Sequence, residues 1–440
     1  MFFETTKFAR RLPLTFCSAL LVIGAVQLRA ATKYVGTCAP GSYPTIQAAV
    51  NASSPGTTIN ICPGIYPEQV IIKNTHDLNL VGIQAANAQN PVITPPDTFP
   101  TLKTVPDLYA GGVAKLPQVL VQNSFDIDIS TLAVDGTGNG IAGCGPDLVG
   151  IYYQNASGVL NYVVARNQIL APGLTGCQSG EAIFIQSGYG SAGFAAVSVQ
   201  NSSIHNYEKN GITGDGNGTF VLISGNDISG VRPTTGAAEN GIQVSDGAVG
   251  KVVGNTVVDN VWAPDQFGDT GDAASGILIY ASQYVTVTNN TVATTQYGIA
   301  TVTDSNSPTP TNPDGLADHT TITGNNVLNT LLYDAIDVCS NNNDVDSNTI
   351  FNGSESGIHL DSSCGSSGKN NSVKNNVINE SCAGILLGNP ANSLSSNTIY
   401  NVTHVIFPGD VCQAATSAPA ISLTPNVATP SAQPHFQPAR

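Results

Sequence analysis

Short segments in which hydrophobic and polar residues alternate recur along most of the chain. After a small residue and an isoleucine the alternation continues, as in Ile242-Gln243-Val244 and Ile277-Leu278-Ile279. Because successive side chains of a strand point to opposite faces, this pattern predicts short strands with one buried face. The pair recurs nine times, at Gly150-Ile151, Ala182-Ile183, Gly211-Ile212, Gly241-Ile242, Gly276-Ile277, Gly298-Ile299, Ala335-Ile336, Gly357-Ile358 and Gly384-Ile385.

A second signature follows each of these pairs, so the chain is a repeat. It is an apolar residue at position 169, 204, 228, 257, 292, 327, 350, 378 or 399, with asparagine two positions earlier in eight of the nine cases. The exception has Asn201 three positions before Ile204. The asparagines are Asn167, Asn226, Asn255, Asn290, Asn325, Asn348, Asn376 and Asn397.

The repeat length favours one architecture. The shortest step between equivalent isoleucines is 22 residues, from Ile277 to Ile299 and from Ile336 to Ile358. Strands this short cannot bury an apolar face singly, but stacked in parallel they form a continuous core. We therefore predict an all-β, right-handed parallel β-helix. The asparagines are expected to stack at one turn as a hydrogen-bonded ladder.

The N-terminal part of the repeat region resembles a known family. Residues 43–83, YPTIQAAVNASSPGTTINICPGIYPEQVIIKNTHDLNLVGI, resemble the first segment of the pectin lyase-like superfamily. In that family a short amphipathic helix caps the rod, here TIQAAVNAS, and a Pro-Gly-x-Tyr-x-Glu turn follows, here Pro63 to Glu68. With the repeats, the resemblance covers about residues 33–405. It implies the β-helix fold with a short N-terminal capping helix, and it leaves the activity open.

The first residues of the chain predict export, and the last residues predict a disordered tail. Basic residues, a short apolar stretch and small residues make residues 1–30 resemble a cleaved signal peptide. We expect the β-helix domain to span residues 31–407 and a low-complexity, disordered tail to span 408–440. The protein is then secreted, periplasmic or at the cell surface, with no membrane segment after cleavage.

The cysteines fit an exported protein. Eight remain once Cys17 is removed with the signal, and an even number outside the cytoplasm favours disulfides. Sequence alone leaves the pairing open, and proximity in the repeat suggests one set. These pairs are Cys38 with Cys62, Cys144 with Cys177, Cys339 with Cys364, and Cys382 with Cys412.

The charge of the chain excludes one class of partner. The formal net charge is −15, and residues 1–30 hold several of the few basic side chains. A nucleic-acid surface needs clustered Lys and Arg, so we expect no nucleic acid partner. A polyanionic sugar would need a local basic pocket or bridging cations. We expect a monomer whose partner is a polysaccharide.

One outward strip of the predicted helix carries candidate catalytic groups. With the repeat isoleucines inward, Asp337 and His359 stack on neighbouring coils, Asp361 lies beside them and Asp334 stands near the strand start. Two spaced carboxylates suit an inverting glycoside hydrolase, and a histidine beside carboxylates suits proton transfer. The alternative is a solvent-exposed cross-coil pair beside a disulfide. We also expect Tyr280, on the same strip, and Asp334 to contact substrate.

Two further groups are weaker candidates. The loop DQFGDTGDAASG offers Asp265, Asp269 and Asp272 as oxygen ligands for Ca²⁺, although a solvated acidic loop would look the same. No cofactor is otherwise required. Arg232 is a candidate for binding substrate, within VRPTTG, which resembles part of the Arg-x-Pro element of pectate lyases.

The predicted function is action on, or binding of, extracellular or cell-envelope polysaccharide. One hypothesis is that the protein is a hydrolase or a lyase. The alternative is a non-catalytic rod that binds carbohydrate or has a structural role at the surface. The catalytic motifs of polygalacturonases, pectin methylesterases and alginate epimerases do not occur in the sequence. A groove centred on the Asp337 strip, with walls from loops 84–118, 262–275 and 303–318, would favour an enzyme.

Overall fold

The computed structural model describes residues 31–84, 90–109, 112–188, 193–265 and 273–412. The predicted signal peptide and residues 413–440 of the predicted tail lie outside the described residues. Within the described part of the chain, no helix is both long enough and apolar enough to cross a membrane.

The described elements are one α-helix, two 3₁₀ turns and 34 strands, most of them short. The α-helix, α1, spans Ile46–Asn51, and the 3₁₀ turns span Phe99–Thr101 and Ala263–Asp265. The first half of the strands comprises β1 (Thr32–Val35), β2 (Thr57–Ile61), β3 (Ile65–Pro67), β4 (Val70–Lys73), β5 (His76–Gly82), β6 (Val92–Thr94), β7 (Lys115–Gln122), β8 (Phe125–Ser130), β9 (Ala133–Asp135), β10 (Asp147–Gln154), β11 (Ser157–Asn161), β12 (Val164–Gln168), β13 (Glu181–Gln186), β14 (Ala195–Gln200), β15 (Ser203–Tyr207), β16 (Asn210–Asp215) and β17 (Thr219–Ser224).

The second half of the strands continues to the end of the described chain. It comprises β18 (Asp227–Ser229), β19 (Asn240–Ser245), β20 (Val249–Val253), β21 (Thr256–Val258), β22 (Ser275–Tyr280), β23 (Thr286–Thr288), β24 (Thr291–Ala293), β25 (Tyr297–Val302), β26 (Thr321–Thr323), β27 (Asn326–Leu328), β28 (Ile336–Cys339), β29 (Asp344–Asp346), β30 (Thr349–Leu360), β31 (Ser372–Lys374), β32 (Val377–Leu387), β33 (Ser393–Ser395) and β34 (Thr398–Pro408).

These strands form three parallel stacks, and up to β28 each full coil contributes one strand to each stack. The first stack runs from β1 and β2 through β5 and β8 to β33. The second contains β4, β7, β10, β13, β16, β19, β22, β25 and β28, and the third contains β3, β6, β9 and every third strand to β27. The long strands β30, β32 and β34 continue both the second and third stacks. The described pairings between these strands are parallel, so the predicted parallel β-helix is confirmed.

The repeat isoleucines form a column inside the rod. Ile212 pairs with Ile242, which pairs with Ile277, and the register continues through Ile299, Ile336, Ile358 and Ile385. Their side chains are fully or almost fully buried. Burial of each such side chain contributes roughly 2–3 kcal/mol of hydrophobic free energy. The alternation therefore sets which residues of the second stack face outward.

The asparagine ladder lies at the turn between the first and third stacks. The Nδ2 of Asn290 donates to Asn325 Oδ1 at 3.0 Å and to the Val252 carbonyl at 2.9 Å. Its Oδ1 accepts from the backbone N–H and the Nδ2 of Asn255, both at 2.9 Å. The same bonds link seven of the eight predicted asparagines: Asn226, Asn255, Asn290, Asn325, Asn348, Asn376 and Asn397.

The prediction for Asn167 is wrong, because the strand register of that coil differs. Ala165, not residue 169, pairs with Ile204. Asn167 has a φ of 61° and its side chain donates to Asp135 on the neighbouring coil. The ladder ends instead at Ser202, whose backbone N–H donates to Asn226 Oδ1 at 3.0 Å.

The N-terminal end of the rod is capped as the family resemblance implied. Thr45 Oγ1 accepts from the N–H of Ala48, and α1 follows immediately. Glu68, the last residue of the Pro-Gly-x-Tyr-x-Glu turn, accepts from the N–H groups of Ile46 and Gln47 at 2.8 and 2.9 Å. A carboxylate at this position satisfies N–H groups that have no partner inside the helix.

Four disulfides tie loops to the coils, with the expected pairing. They join Cys38 to Cys62, Cys144 to Cys177, Cys339 to Cys364, and Cys382 to Cys412. The last of these anchors the segment after β34 to β32. The predicted loop 84–118 is partly regular, because it contains β6 and the first residues of β7.

We predict that Asn290→Ala destabilises the rod by about 3 kcal/mol, because it leaves the buried Asn255 N–H and Val252 carbonyl without partners. The measurement is the free energy of unfolding in urea. Asn326→Ala is the matched control, since Asn326 lies next to the ladder but is exposed. Equal stabilities of the two variants would contradict a structural role for the ladder.

Candidate functional site

The structure brings the predicted strip residues together on the outer face of the second stack. Asp337 of β28 pairs in register with His359 of β30. His359 Nδ1 lies 3.1 Å from Asp334 Oδ2 and 3.8 Å from Asp337 Oδ1, and its Nε2 lies 4.0 Å from Asp361 Oδ1. Four groups predicted from the sequence therefore form one cluster, which we call the histidine cluster.

The histidine cluster has two further members, Asp410 and Glu355, which were not predicted from the sequence. Asp410, in the segment after β34, places Oδ1 3.5 Å from His359 Nε2. Glu355, inside β30, accepts from the N–H of Cys412 at 3.1 Å. Asp410 could not be found from the repeat, because it lies beyond the last coil and reaches the cluster through the Cys382–Cys412 disulfide.

The histidine cluster is buried, so the alternative of a solvent-exposed pair is wrong. Asp337 is 1% exposed, His359 4% and Asp361 7%. Burial, followed by Asp361, raises the pKa of Asp337 well above its usual value. Burial and Asp334 raise the pKa of Glu355 to about 8. Burial acts to lower the pKa of His359. Asp334 and other carboxylates have a larger, opposite effect, so the pKa of His359 lies well above its usual value.

A second site lies on the same outer face, several coils nearer the N-terminus. It is a cleft of about 270 Å³ over β13, β16 and β19, floored by Phe184, Thr213 and Gln243. Parts of two predicted loops wall it, through Tyr109 and Ser307. The charged residues that line it are Asp107, Lys115, Asp147, Glu181, Lys209, Asp215 and Asp246. The loops thus enclose a groove, but the groove is centred here and not on the histidine cluster.

Lys115 organises the charges of the cleft. Its Nζ donates to Asp147 Oδ2 at 2.7 Å and lies 3.4 Å from Asp107 and 3.7 Å from Glu181. Because one ammonium group contacts all three carboxylates, their oxygens lie within a few ångströms of one another. Asp147 Oδ1 and Glu181 Oε2 are buried and have no hydrogen-bond partner among the described residues.

The electrostatics of the cleft separate the roles of its groups. Burial raises the pKa of Glu181 to about 7, although Lys115 opposes the rise. Burial acts to lower the pKa of Lys115, but Glu181, Asp147 and Asp107 hold it well above its usual value. Burial also raises the pKa of Asp147, against the pull of Lys115. At neutral pH the cleft therefore holds a glutamic acid that is partly protonated beside a permanent cation.

Hydrogen bonds across neighbouring coils fix the rest of the cleft. Asp215 accepts from Gln186 Nε2 at 2.8 Å and from the Ser245 hydroxyl at 2.8 Å. Asn210 Nδ2 donates to Thr213 at 2.9 Å and to Gln243 at 3.1 Å. These networks hold polar groups against the cleft in defined positions. Burial and Asp246 raise the pKa of Asp215 well above its usual value.

The remaining predicted site residues lie in different places. Tyr280 lines the cleft, where its hydroxyl donates to Asp304. Arg232 pairs with Asp259 at 3.3 Å in an exposed position and does not line the cleft. Asp269 and Asp272 lie outside the described residues, and Asp265 ends a 3₁₀ turn. The predicted Ca²⁺ loop therefore stays a prediction.

The sequence contained a signal for the missed cleft. Lys115, Asp147 and Glu181 each begin a strand of the second stack that is otherwise apolar or uncharged. A charged residue at the start of successive buried strands costs free energy unless it is paired, so it marks a site.

Two comparisons relate the chain to known proteins. A family model described as a right-handed beta helix region matches residues 122–313. No curated protein matches the chain by sequence. The Dettilon tailspike protein has a similar structure, with a TM-score of 0.53 and 14% identity, over 84% of this chain and 68% of that chain.

A second solved structure is also similar. It is the lacto-N-biosidase from Eubacterium ramulus, with a TM-score of 0.50 and 12% identity, over 87% of this chain and 67% of that chain. At these identities the likeness concerns the fold alone. Together with the stacked coils, the matches show that the chain has the right-handed parallel β-helix fold, and that residues 122–313 match the right-handed beta helix family model.

Proposed function

We propose that this protein binds a short stretch of an uncharged polysaccharide in the cleft and hydrolyses one glycosidic bond there. The observation that carries the proposal is Glu181, a buried carboxyl group with a pKa of about 7, beside a second carboxylate in an enclosed groove. A buried titratable group with a strongly shifted pKa in a cleft is typical of an active site.

The proposed chemistry needs one acid and one nucleophile. Protonated Glu181 gives its proton to the glycosidic oxygen as the bond to the anomeric carbon breaks. Both carboxyl groups contact Lys115 Nζ, at 2.7 and 3.7 Å, so they lie too close together for an inverting hydrolase, which needs about 6.5–9.5 Å between them. The Asp147 carboxylate therefore bonds to the anomeric carbon as the leaving group departs. Water then cleaves this glycosyl-enzyme bond, gives its proton to Glu181 and regenerates Asp147. Lys115, 2.7 Å from Asp147, favours the ionised form that a nucleophile requires.

The charges of the cleft argue against a lyase. A lyase would need a neutral lysine or arginine as the base, but the carboxylates around Lys115 keep it protonated. The cleft also carries five carboxyl groups against two ammonium groups. A uronate chain would be repelled by such a surface unless cations intervened, whereas an uncharged sugar would meet many hydrogen-bonding groups.

The fold and the disulfides are compatible with this proposal. The similar lacto-N-biosidase is a glycosidase by name, so the scaffold can carry such chemistry, although 12% identity says nothing about residues. Four disulfides are expected in a protein that works outside the cytoplasm, where polysaccharide substrates occur. We therefore extend the proposal to a secreted, periplasmic or surface location.

We predict that Glu181→Gln and Asp147→Asn each lower kcat about 10²- to 10⁴-fold on the substrate, because the first removes the proton donor and the second removes the nucleophile, while each keeps the shape of the side chain. The measurement is release of reducing ends from a panel of uncharged polysaccharides, with pectate and alginate as anionic comparisons. Glu239→Gln is the matched control, since Glu239 is a buried glutamate outside the cleft that accepts from backbone N–H groups.

The double variant Asp337→Asn with Asp361→Asn separates the cleft from the histidine cluster. Loss of activity in the double variant, with full activity in Glu181→Gln, would move the catalytic site to the histidine cluster. Binding of a polysaccharide without any hydrolysis by the wild-type protein would instead support the carbohydrate-binding alternative.

The pH profile provides a second prediction. Because the acid form of Glu181 is needed, kcat should fall about tenfold per pH unit once the pH rises above about 7. The measurement is the initial rate between pH 5 and 9 with the folded state checked by circular dichroism. A kcat that already falls about tenfold per pH unit from pH 5 upward, or a kcat that does not change with pH, would contradict Glu181 as the proton donor.

A further inference from the structure

We propose that the histidine cluster is a divalent metal site, with His359, Asp361 and Asp410 as ligands and Zn²⁺ as the best fitting ion. The proposal does not depend on the cleft or its chemistry. A ligand atom from each of these three residues lies within 4.8 Å of the others. Imidazole nitrogen together with carboxylate oxygen is a donor set that Zn²⁺ accepts.

The orientation of the imidazole is the first argument. Its Nδ1 lies 3.1 Å from Asp334 Oδ2, so an N–H at this position donates to that carboxylate. A carboxylate that holds the far nitrogen of a histidine is the usual support behind a metal ligand. Nε2 then faces Asp361 and Asp410. It is buried and has no hydrogen-bond partner among the described residues.

The spacing of the ligand atoms is the second argument. His359 Nε2 lies 3.5 Å from Asp410 Oδ1 and 4.0 Å from Asp361 Oδ1. Both separations are longer than a good hydrogen bond. Ligands of a tetrahedral Zn²⁺, with bonds of about 2.1 Å, stand about 3.4 Å apart. Small side-chain shifts would therefore close the three groups around one ion.

Both carboxylates are held in place by their neighbours. Asp361 Oδ1 accepts from the Ser363 N–H at 2.6 Å, and Asp410 Oδ1 accepts from the Ser362 N–H at 3.3 Å. Asp410 also packs so closely on Gly388 that a Cβ there would collide with its carboxylate. Glycine at position 388 thus leaves room for the carboxylate beside the histidine.

The charge balance is the third argument. Asp334, Asp337, Glu355 and Asp361 surround one histidine. Among the described residues, no lysine or arginine nitrogen lies within 4.0 Å of these four carboxylates. Carboxyl groups buried around a single imidazole are costly to ionise together, and a divalent ion would stabilise their ionised forms. The Asp410 side chain is 24% exposed, so an ion can reach the site from solvent.

The test is Zn²⁺ binding to the full chain at pH 8, where protons compete less for imidazole. Protein is dialysed against EDTA, then titrated with Zn²⁺ by calorimetry, and bound metal is counted by elemental analysis. We expect one Zn²⁺ per chain and a raised Tm. Co²⁺ is the spectroscopic probe, and its visible absorption should match nitrogen and oxygen ligands in a tetrahedron.

Two variants assign the ligands. Asp410→Asn and His359→Gln should each weaken Zn²⁺ binding at least tenfold. Asp346→Asn is the matched control, because the side chain of Asp346 is 25% exposed and lies outside the cluster. Glu181→Gln should bind Zn²⁺ like wild type, which separates this site from the cleft.

The proposal is overturned by either of two results. One is a folded wild-type protein that binds no Zn²⁺, in which case protons alone neutralise the cluster. The other is Zn²⁺ binding that Asp410→Asn leaves unchanged. The Asp410 variant decides the outcome if the more deeply buried His359 variant fails to fold.

Discussion

In-register stacking of parallel coils is the constraint on which the rest of this structure depends. Backbone hydrogen bonds hold neighbouring coils about 4.8 Å apart, so equivalent residues of successive coils must be neighbours. The inner position of the second stack is apolar in coil after coil, as Ile242, Ile277 and Ile299 show. A change of register by one residue would turn these side chains out of the core. The asparagine ladder reinforces the register at the turn between the first and third stacks.

The same constraint creates the two polar sites. Charged residues on adjacent coils are brought together whether or not their charges are compatible, and burial beneath loops increases their mutual effect. In the cleft, Lys115 compensates Asp107, Asp147 and Glu181. In the histidine cluster, a single imidazole faces several carboxylates. One site thus has its cation in the chain, and the other is proposed to take it from solution.

The sequence predicted the fold well because the periodic residues determine it. The isoleucine column and most of the ladder could be predicted from spacing, and proximity in the repeat suggested the four disulfide pairs that the structure contains. The strip of Asp337, His359 and Asp361 was also assembled correctly. The positions of Asp107 and Asp410 in the two sites could not be predicted, because loops and the last segment have no fixed register with the coils. The burial of the histidine cluster was not predicted for the same reason, because the segments that cover the outer face lie outside the repeat.

The central claim is that stacking gives Glu181 an environment in which it keeps its proton near neutral pH. The most direct measurement is a ¹³C NMR titration of protein labelled at the glutamate carboxyl carbons, of which the chain has seven. The resonance of Glu181 is assigned by its loss in Glu181→Gln. The account predicts a midpoint near pH 7. A midpoint near 4.5, the range of an ordinary exposed glutamate, would contradict it.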